Sequence, residues 1–231
     1  APVNQPESLP HEPLVIAIDG PAGSGKSSTS RGVARRLRLR FLDTGSLYRA
    51  VAWAMFDRGV DPTDRDALVA LARGAVLDVG TDPGQPSIAV DGFDITAEIH
   101  DPRISAKVSV VATIQPIRDI LTRQMRDIIS ASGRGIVAEG RDITTVVAPH
   151  AQVRVLLQAD PMARIKRRER QLKGTLDREA LADQVVRRDR DDAAVSEFVT
   201  PAPGVTLIDS THLDLDEVIN RVIALVPPEY R

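Results

Sequence analysis

Eight residues, Gly20-Pro-Ala-Gly-Ser-Gly-Lys-Ser27, match the spacing G-x-x-x-x-G-K-[ST] without a substitution. Glycines at this spacing let the backbone turn sharply and bring successive N–H groups to phosphate oxygens. A lysine at the end of such a loop reaches β- and γ-phosphates, and the hydroxyl after it completes the shell of a Mg²⁺ ion. The expected ligand is therefore a nucleoside triphosphate. It would be held by Gly20, Pro21, Ala22, Gly23, Ser24, Gly25, Lys26, Ser27 and the adjoining Ser28, with Ser27 on the metal. A bare glycine-rich turn would need neither the Lys-Ser pair nor the apolar run at residues 14–18 in front of it.

Arginines supply the second set of candidates. Transfer of a phosphoryl group to another phosphate brings two polyanions within bonding distance, and guanidinium forks neutralise and align them. Arg49 and Arg141 lie at or just after the carboxyl ends of expected strands, where open α/β sheets bind ligands. Taken singly, either reads better as a surface ion-pair partner; together with the loop they become site candidates. An acceptor phosphate is already nucleophilic at neutral pH, so no Ser, His or Cys base is required. His11, His100, His150 and His212 form no cluster or ligand spacing and read as structural or surface residues.

Residues 164–173 hold Arg164, Lys166, Arg167, Arg168, Arg170 and Lys173 against a single acid, Glu169. A solvated helix face, an RNA-binding patch and a lid over the triphosphate all fit this stretch. Its place between two helices, beside Gly174, favours the lid. Arg164 and Arg168 share a helix face at i and i+4, which makes them the expected lid ligands of the triphosphate.

These residues need a frame to position them. Residues 14–18 read as a buried parallel strand, and residues 28–39 as a helix with Val33, Ala34 and Leu37 inward. A short strand at 40–43 leads to a helix from Thr44 to about Arg58, closed by Gly59, and a further helix at 65–73 capped by Asp64 or Thr63. Trp53 and Phe56 read as core packing. From residue 76 to 95 the apolar period changes to two, and Asp91-Gly92 between Ile88, Val90 and Phe93, Ile95 signals a hairpin. Two helices are expected over 98–130, broken near Pro116. The second buries Ile117, Leu121, Met125, Ile128 and Ile129 and leaves Arg118, Arg123 and Arg126 elsewhere on the helix.

Further strands are expected at 135–139, 153–158 and 205–209, with charged helices at 162–172 and 177–192. A final helix at 213–226 carries Leu215, Val218, Ile219, Val222 and Val226 on one face. The alternation predicts an α/β fold, a parallel sheet with helices on both faces. Residues 14–229 form one domain, with a small antiparallel insertion at 76–112 and a helical lid at 160–192.

Composition bounds the rest. A 231-residue chain with 42% hydrophobic and 27% charged residues suits one globular α/β domain. Its formal net charge of −2 gives no argument for nucleic acid or membrane partners. It holds no cysteine, which excludes a disulfide framework and a thiol catalyst. No run approaches the ~18 apolar residues of a membrane span. Residues 1–13, with four prolines, lack the order of a signal peptide and read as a flexible tail. A cytoplasmic monomer is the default expectation.

Three classes share the phosphate loop: small-molecule kinases, GTPase-type switches, and motors. The only asparagines, Asn4 and Asn220, cannot supply an Asn-Lys-x-Asp guanine signature, which weakens the switch. A chain this short, with arginines after several strand ends, suits a kinase better than a motor.

Together, Asp19-Gly-Pro-Ala-Gly-Ser-Gly-Lys-Ser27, Leu42-Asp-Thr-Gly-Ser-Leu-Tyr-Arg49, Glu139-Gly-Arg-Asp142, Arg188-Asp189 and Ile208-Asp-Ser-Thr211 resemble bacterial cytidylate kinases. The match runs in order from about residue 14 to the last helix. The resemblance implies transfer of the ATP γ-phosphoryl group to CMP or dCMP with Mg²⁺, on a phosphate-loop (P-loop) kinase core. A kinase of another small acceptor (UMP, shikimate) and a non-catalytic nucleotide switch are the alternatives. Lys26, Arg49, Arg141 and Arg188 would be catalytic. By motif position Thr44, Arg49 and Arg141 would lie at the acceptor, Ser109, Arg118 and Asp142 would read the cytosine edge, and Arg188 and Asp192 would contact the ribose. Uracil reverses the donor pattern at ring positions 3 and 4, so a carboxylate and an arginine should reject it. One departure stands out. The family pattern places a second phosphate-binding arginine where this chain has Val195, so Arg187 or Arg190 replaces it or two arginines suffice.

Overall fold

The computed structural model describes residues 12–172 and 200–231. A five-stranded sheet forms its centre, with strand order β2-β6-β1-β7-β8. The strands are β1 (Leu14–Asp19), β2 (Arg40–Asp43), β6 (Gly135–Gly140), β7 (Val153–Gln158) and β8 (Thr206–Asp209), and every pairing is parallel. A second, antiparallel sheet holds β3 (Leu77–Gly80), β4 (Ser87–Val90) and β5 (Phe93–Asp94). Asp91 and Gly92 between β4 and β5 both take positive φ, 48° and 85°. That is the geometry of a tight hairpin turn twisted to suit its strands.

Side chains alternate across the pleat, so each strand of the main sheet feeds two cores. On one face Ala17, Leu42, Ile136 and Ala138 meet α2 (Thr44–Asp57), α3 (Arg65–Gly74), α4 (Pro102–Ala112) and α5 (Gln115–Ser130). On the other, Ile16, Ile18, Val137, Val155 and Leu157 meet α1 (Lys26–Leu37) and α7 (Leu215–Ala224). Burial of one such branched side chain contributes about 1.5–3 kcal/mol. Helices thus cover both faces, and α6 (Pro161–Leu172) leaves the end of β7 toward the phosphate loop.

Side-chain caps open several of the helices. Asp64 accepts from Ala67 N at the start of α3, and Asp160 from Ala163 N at the start of α6. At α7, Asp214 and Glu217 form a reciprocal capping box. Some expectations change. The break between α4 and α5 falls at Thr113 and Ile114, and Pro116 sits in the first turn of α5, where it lacks no needed N–H. Phe56 is 47% exposed, because the inward face of α2 is filled by Val51, Ala52 and Met55. Trp53, on the same helix, is partly buried against the first core. Leu215 is exposed at the start of α7, whereas Val218, Ile219, Val222 and Val226 are buried. Arg118 lies inward, buried to 6% exposure. The expected helix at 177–192, together with Arg187, Arg188, Arg190, Asp192 and Val195, lies outside the described residues.

Candidate functional site

Register brings three strand ends together. Asp43 of β2 pairs with Glu139 of β6, and Asp19 of β1 pairs with Gly140. The pairing continues past the strands, since Gly20 N donates to Gly140 O at 3.2 Å. The phosphate loop and the Gly140-Arg141-Asp142 turn therefore leave the sheet side by side. A cleft of about 930 Å³ opens over them, lined by Ala22 to Ser28, Asp43, Thr44, Arg49, Arg118 and Glu139 to Asp142, among others.

The loop wraps the amino end of α1. Gly23 sits at φ 77°, and a Cβ there would fall 2.5 Å from the Arg164 carbonyl oxygen, so α6 rests directly on the loop. The amino terminus of α1 points its positive dipole end at the loop's concavity. Lys26 opens this helix, and Ser27 donates to Glu139 Oε1 at 2.5 Å.

The acidic strand ends differ in state. Burial, then the charge of Asp43, raises the Glu139 carboxyl to about 7; Lys26, Ser27 and Arg49 oppose that shift. Burial also acts on Asp43, but the charges of Arg49 and Lys26 and the hydrogen bond from Arg49 outweigh it and hold Asp43 below the usual range. Glu139 thus holds its proton up to near neutral pH. Asp19 is raised to about 6 by burial, although it accepts from Ile143 N at 2.8 Å, Thr144 N at 2.8 Å and Thr144 Oγ1 at 2.6 Å. Those bonds tie the turn after Asp142, a π-type turn at Ile143–Val147, to the entrance of the loop.

Among the described residues, no three His, Cys, Asp or Glu side chains form a metal cage. A hydrated Mg²⁺ nevertheless fits. The Ser27 hydroxyl faces the Glu139 carboxyl, whose Oε2 is buried without a hydrogen-bond partner, beside Asp43. A phosphate-bound cation keeps several waters, and carboxylates suit those waters.

The acceptor side is built on α2, α5 and the turn after β6. Thr44 Oγ1 donates to Glu139 O at 2.8 Å, seating α2 on β6. Arg49, one turn on, donates to Asp43 Oδ2 at 2.7 Å, while its Nε is buried without a partner. Gly45 lies beneath it; a Cβ there would come 3.0 Å from Arg49 Nη1. Arg118 donates to Asp142 Oδ2 at 2.6 Å and to Ala112 O at 2.8 Å, and stands 5.5 Å over the Tyr48 ring. The Arg118–Asp142 pair is almost fully buried. Arg168 is pushed below its usual range by burial, then by Arg49 and Arg141, which places three guanidinium groups around one part of the cleft.

Some sequence candidates fall elsewhere. Gly20 and Pro21 form the back of the loop rather than the cleft wall, with Gly20 packed against the Leu157 carbonyl. Ser109 is not on the cleft; Ser105, one turn earlier on α4, is. Arg164 packs its main chain on Gly23 and does not line the cleft, whereas Arg167, Arg168 and Arg170 do. Glu139, Asp43 and Asp19 were legible only as strand-end acids within the quoted motifs. His100 lines the cleft; burial and then Arg49 hold its pKa below the usual value, with Asp43 opposing. Its signal in sequence was no stronger than that of the other histidines.

Residues 16–228 match the family model described as cytidylate kinase. A cytidylate kinase of Cutibacterium acnes is 58% identical over 95% of this chain and 98% of its own. One of Nocardia farcinica is 44% identical over 93% and 94%. A crystal structure of an uncharacterized protein from Eubacterium ventriosum covers 91% of this chain and 96% of its own at 11% identity, with a TM-score of 0.50, a likeness of fold.

Proposed function

The chain belongs to the cytidylate kinase family and transfers the γ-phosphoryl group of ATP to CMP or dCMP, and we propose that the cleft between the phosphate loop and the Gly140-Arg141-Asp142 turn carries the transfer. One observation supports this reading above the others. Donor loop and acceptor arginines leave adjacent parallel strands, β1 and β6, and share one cleft.

Lys26 and the loop amides hold the β- and γ-phosphates of ATP. Arg49 and Arg141 hold the acceptor phosphate, with Thr44 beneath it, and Arg168 approaches from α6. An acceptor phosphate oxygen forms the new bond to the γ-phosphorus as the bond to the β-bridging oxygen breaks, leaving ADP. Positioning and charge neutralisation supply most of the barrier reduction for such a transfer. Ser27, with Asp43 and Glu139 beside it, would hold Mg²⁺, which would supply charge neutralisation at the donor phosphates. Asp142 and Arg118 present an acceptor and donors to the base; cytosine's amino group and ring nitrogen complement them, and uracil does not. Arg188 and Asp192 are assigned to the acceptor by motif position alone. Residues 160–192 serve as the lid.

An acceptor panel tests the reading. ADP release from ATP should be fastest with CMP and dCMP; equal rates with UMP would sink the assignment of the base site. Arg141→Ala should lower turnover about 100-fold or more while changing ATP affinity little, since it acts on the acceptor in the transition state.

A further inference from the structure

The arginines of α6 do not share one task. Arg167, half-buried, donates through Nη1 to Gly23 O at 3.2 Å and to Ser210 Oγ at 3.2 Å, and through Nη2 to Ser210 O at 2.8 Å. Ser210 is 2% exposed, follows β8 directly, and donates its hydroxyl to Ser24 O at 2.9 Å. Its N–H donates to Gln158 O at 2.7 Å, and its carbonyl also accepts from Leu213 N at 3.3 Å. One guanidinium therefore ties three separate chain segments together: the crown of the phosphate loop, the turn after β8, and α6. Arg167 and Ser210 thus bind the loop carbonyls of Gly23 and Ser24, and those two carbonyls are fixed in one orientation at the crown of the loop.

We infer that Arg167 is a positioning residue that, through Ser210, holds the phosphate loop in its ATP-binding shape, while the neighbouring Arg168 faces the phosphates. The inference rests on the kinase reading given above. It separates two adjacent arginines by the atoms they address. Arg167 spends its donors on Gly23 O and both oxygens of Ser210; Arg168 lines the cleft with Arg49 and Arg141, where a phosphate's charge would gather. A lysine at 167 would keep the charge but not the fork, and a single ammonium cannot span Gly23 O and both Ser210 oxygens in that geometry.

Steady-state kinetics in the full chain, with ATP and CMP varied separately, test this. CMP-dependent ADP release by the unmodified protein is the control, and its absence would count against the kinase reading, not this one. Arg167→Ala should raise KM for ATP about tenfold while KM for CMP stays within about twofold. Arg167→Lys should resemble Arg167→Ala. Ser210→Ala should raise KM for ATP in the same direction, and the double variant should be no worse than Arg167→Ala alone, because both act through one contact. Arg168→Ala should instead be additive with Ser210→Ala. Wild-type KM for ATP in Arg167→Lys, or additive losses for Arg167→Ala and Ser210→Ala, would overturn the inference. If Arg167→Ala does not fold, the Arg167→Lys and Ser210→Ala pair carries the same test.

Discussion

At the scale of single residues, the site is a set of charges whose states are set by what surrounds them. Glu139 is raised from 4.5 to about 7, so the protonated form is favoured in the fold. Its contribution to stability is complete below pH 4.5 and is lost as pH rises through about 7. Asp19, raised to about 6, acts in the same direction. Asp43, held low, contributes in the opposite sense and loses its contribution only as pH falls below the ordinary carboxylate range. Glu139→Gln should therefore flatten the fall in stability between pH 4.5 and 7, measured by denaturant unfolding across that window. A slope equal to the parent's would exclude Glu139 as the titrating group. The Arg118–Asp142 pair poses a different cost. Arg118→Ala leaves a buried carboxylate without its cation and should destabilise by about 3–5 kcal/mol. Replacing both, Arg118→Met with Asp142→Leu, should recover most of that stability but not CMP phosphorylation, as read by thermal melts and the ADP assay. Sequence made Arg118 and Asp142 visible as motif residues, yet not as partners. They stand 24 positions apart on different elements, and periodicity within α5 counts Arg118 only as a gap in an apolar stripe.

At the scale of elements, most boundaries were legible because caps and turns announce them chemically. Asp64 and Asp91-Gly92 each do locally what the sequence suggested. What stayed hidden depended on which face a neighbour fills. Phe56 was read as core packing, but other residues of α2 already occupy the core. The i, i+4 pairing of Arg164 with Arg168 placed both on one face of α6. Gly23 then takes the Arg164 position by main-chain contact, which a one-dimensional pattern cannot reveal. These contacts make two glycines sensitive. Gly45→Ala should press on Arg49 and raise KM for CMP about three- to tenfold, with KM for ATP little changed. Gly23→Ala, at φ 77° and against the α6 backbone, should weaken ATP binding by at least tenfold, measured by calorimetry.

At the scale of the whole molecule, parallel topology explains why the motifs could be read in order without revealing their arrangement. The β2-β6-β1 order inserts the sixth strand between the second and the first. Motifs far apart in sequence thereby become neighbours at one end of a sheet, where ligands of open α/β folds bind. The alternation of strands and helices pointed to such a sheet; the strand order could not be read from it. The antiparallel β3–β5 unit lies beside this frame and is attached through Phe41 N to Thr81 O at 2.9 Å and through the packing of β4 on α2.

The central place of β6 has a kinetic consequence. Leu14 pairs with Gly135, so the loop's supporting strand waits for more than half of the chain before its neighbour exists. Contacts so distant in sequence form slowly, after local helices and the β4–β5 hairpin. Nucleotide affinity should then appear late and all at once during refolding. The single tryptophan, Trp53, packs in α2 against the first core and offers an optical clock for comparison. In stopped-flow refolding, recovery of ATP binding should coincide with the slowest Trp53 phase. Binding that recovers ahead of it would mean that the loop takes shape without its central strand.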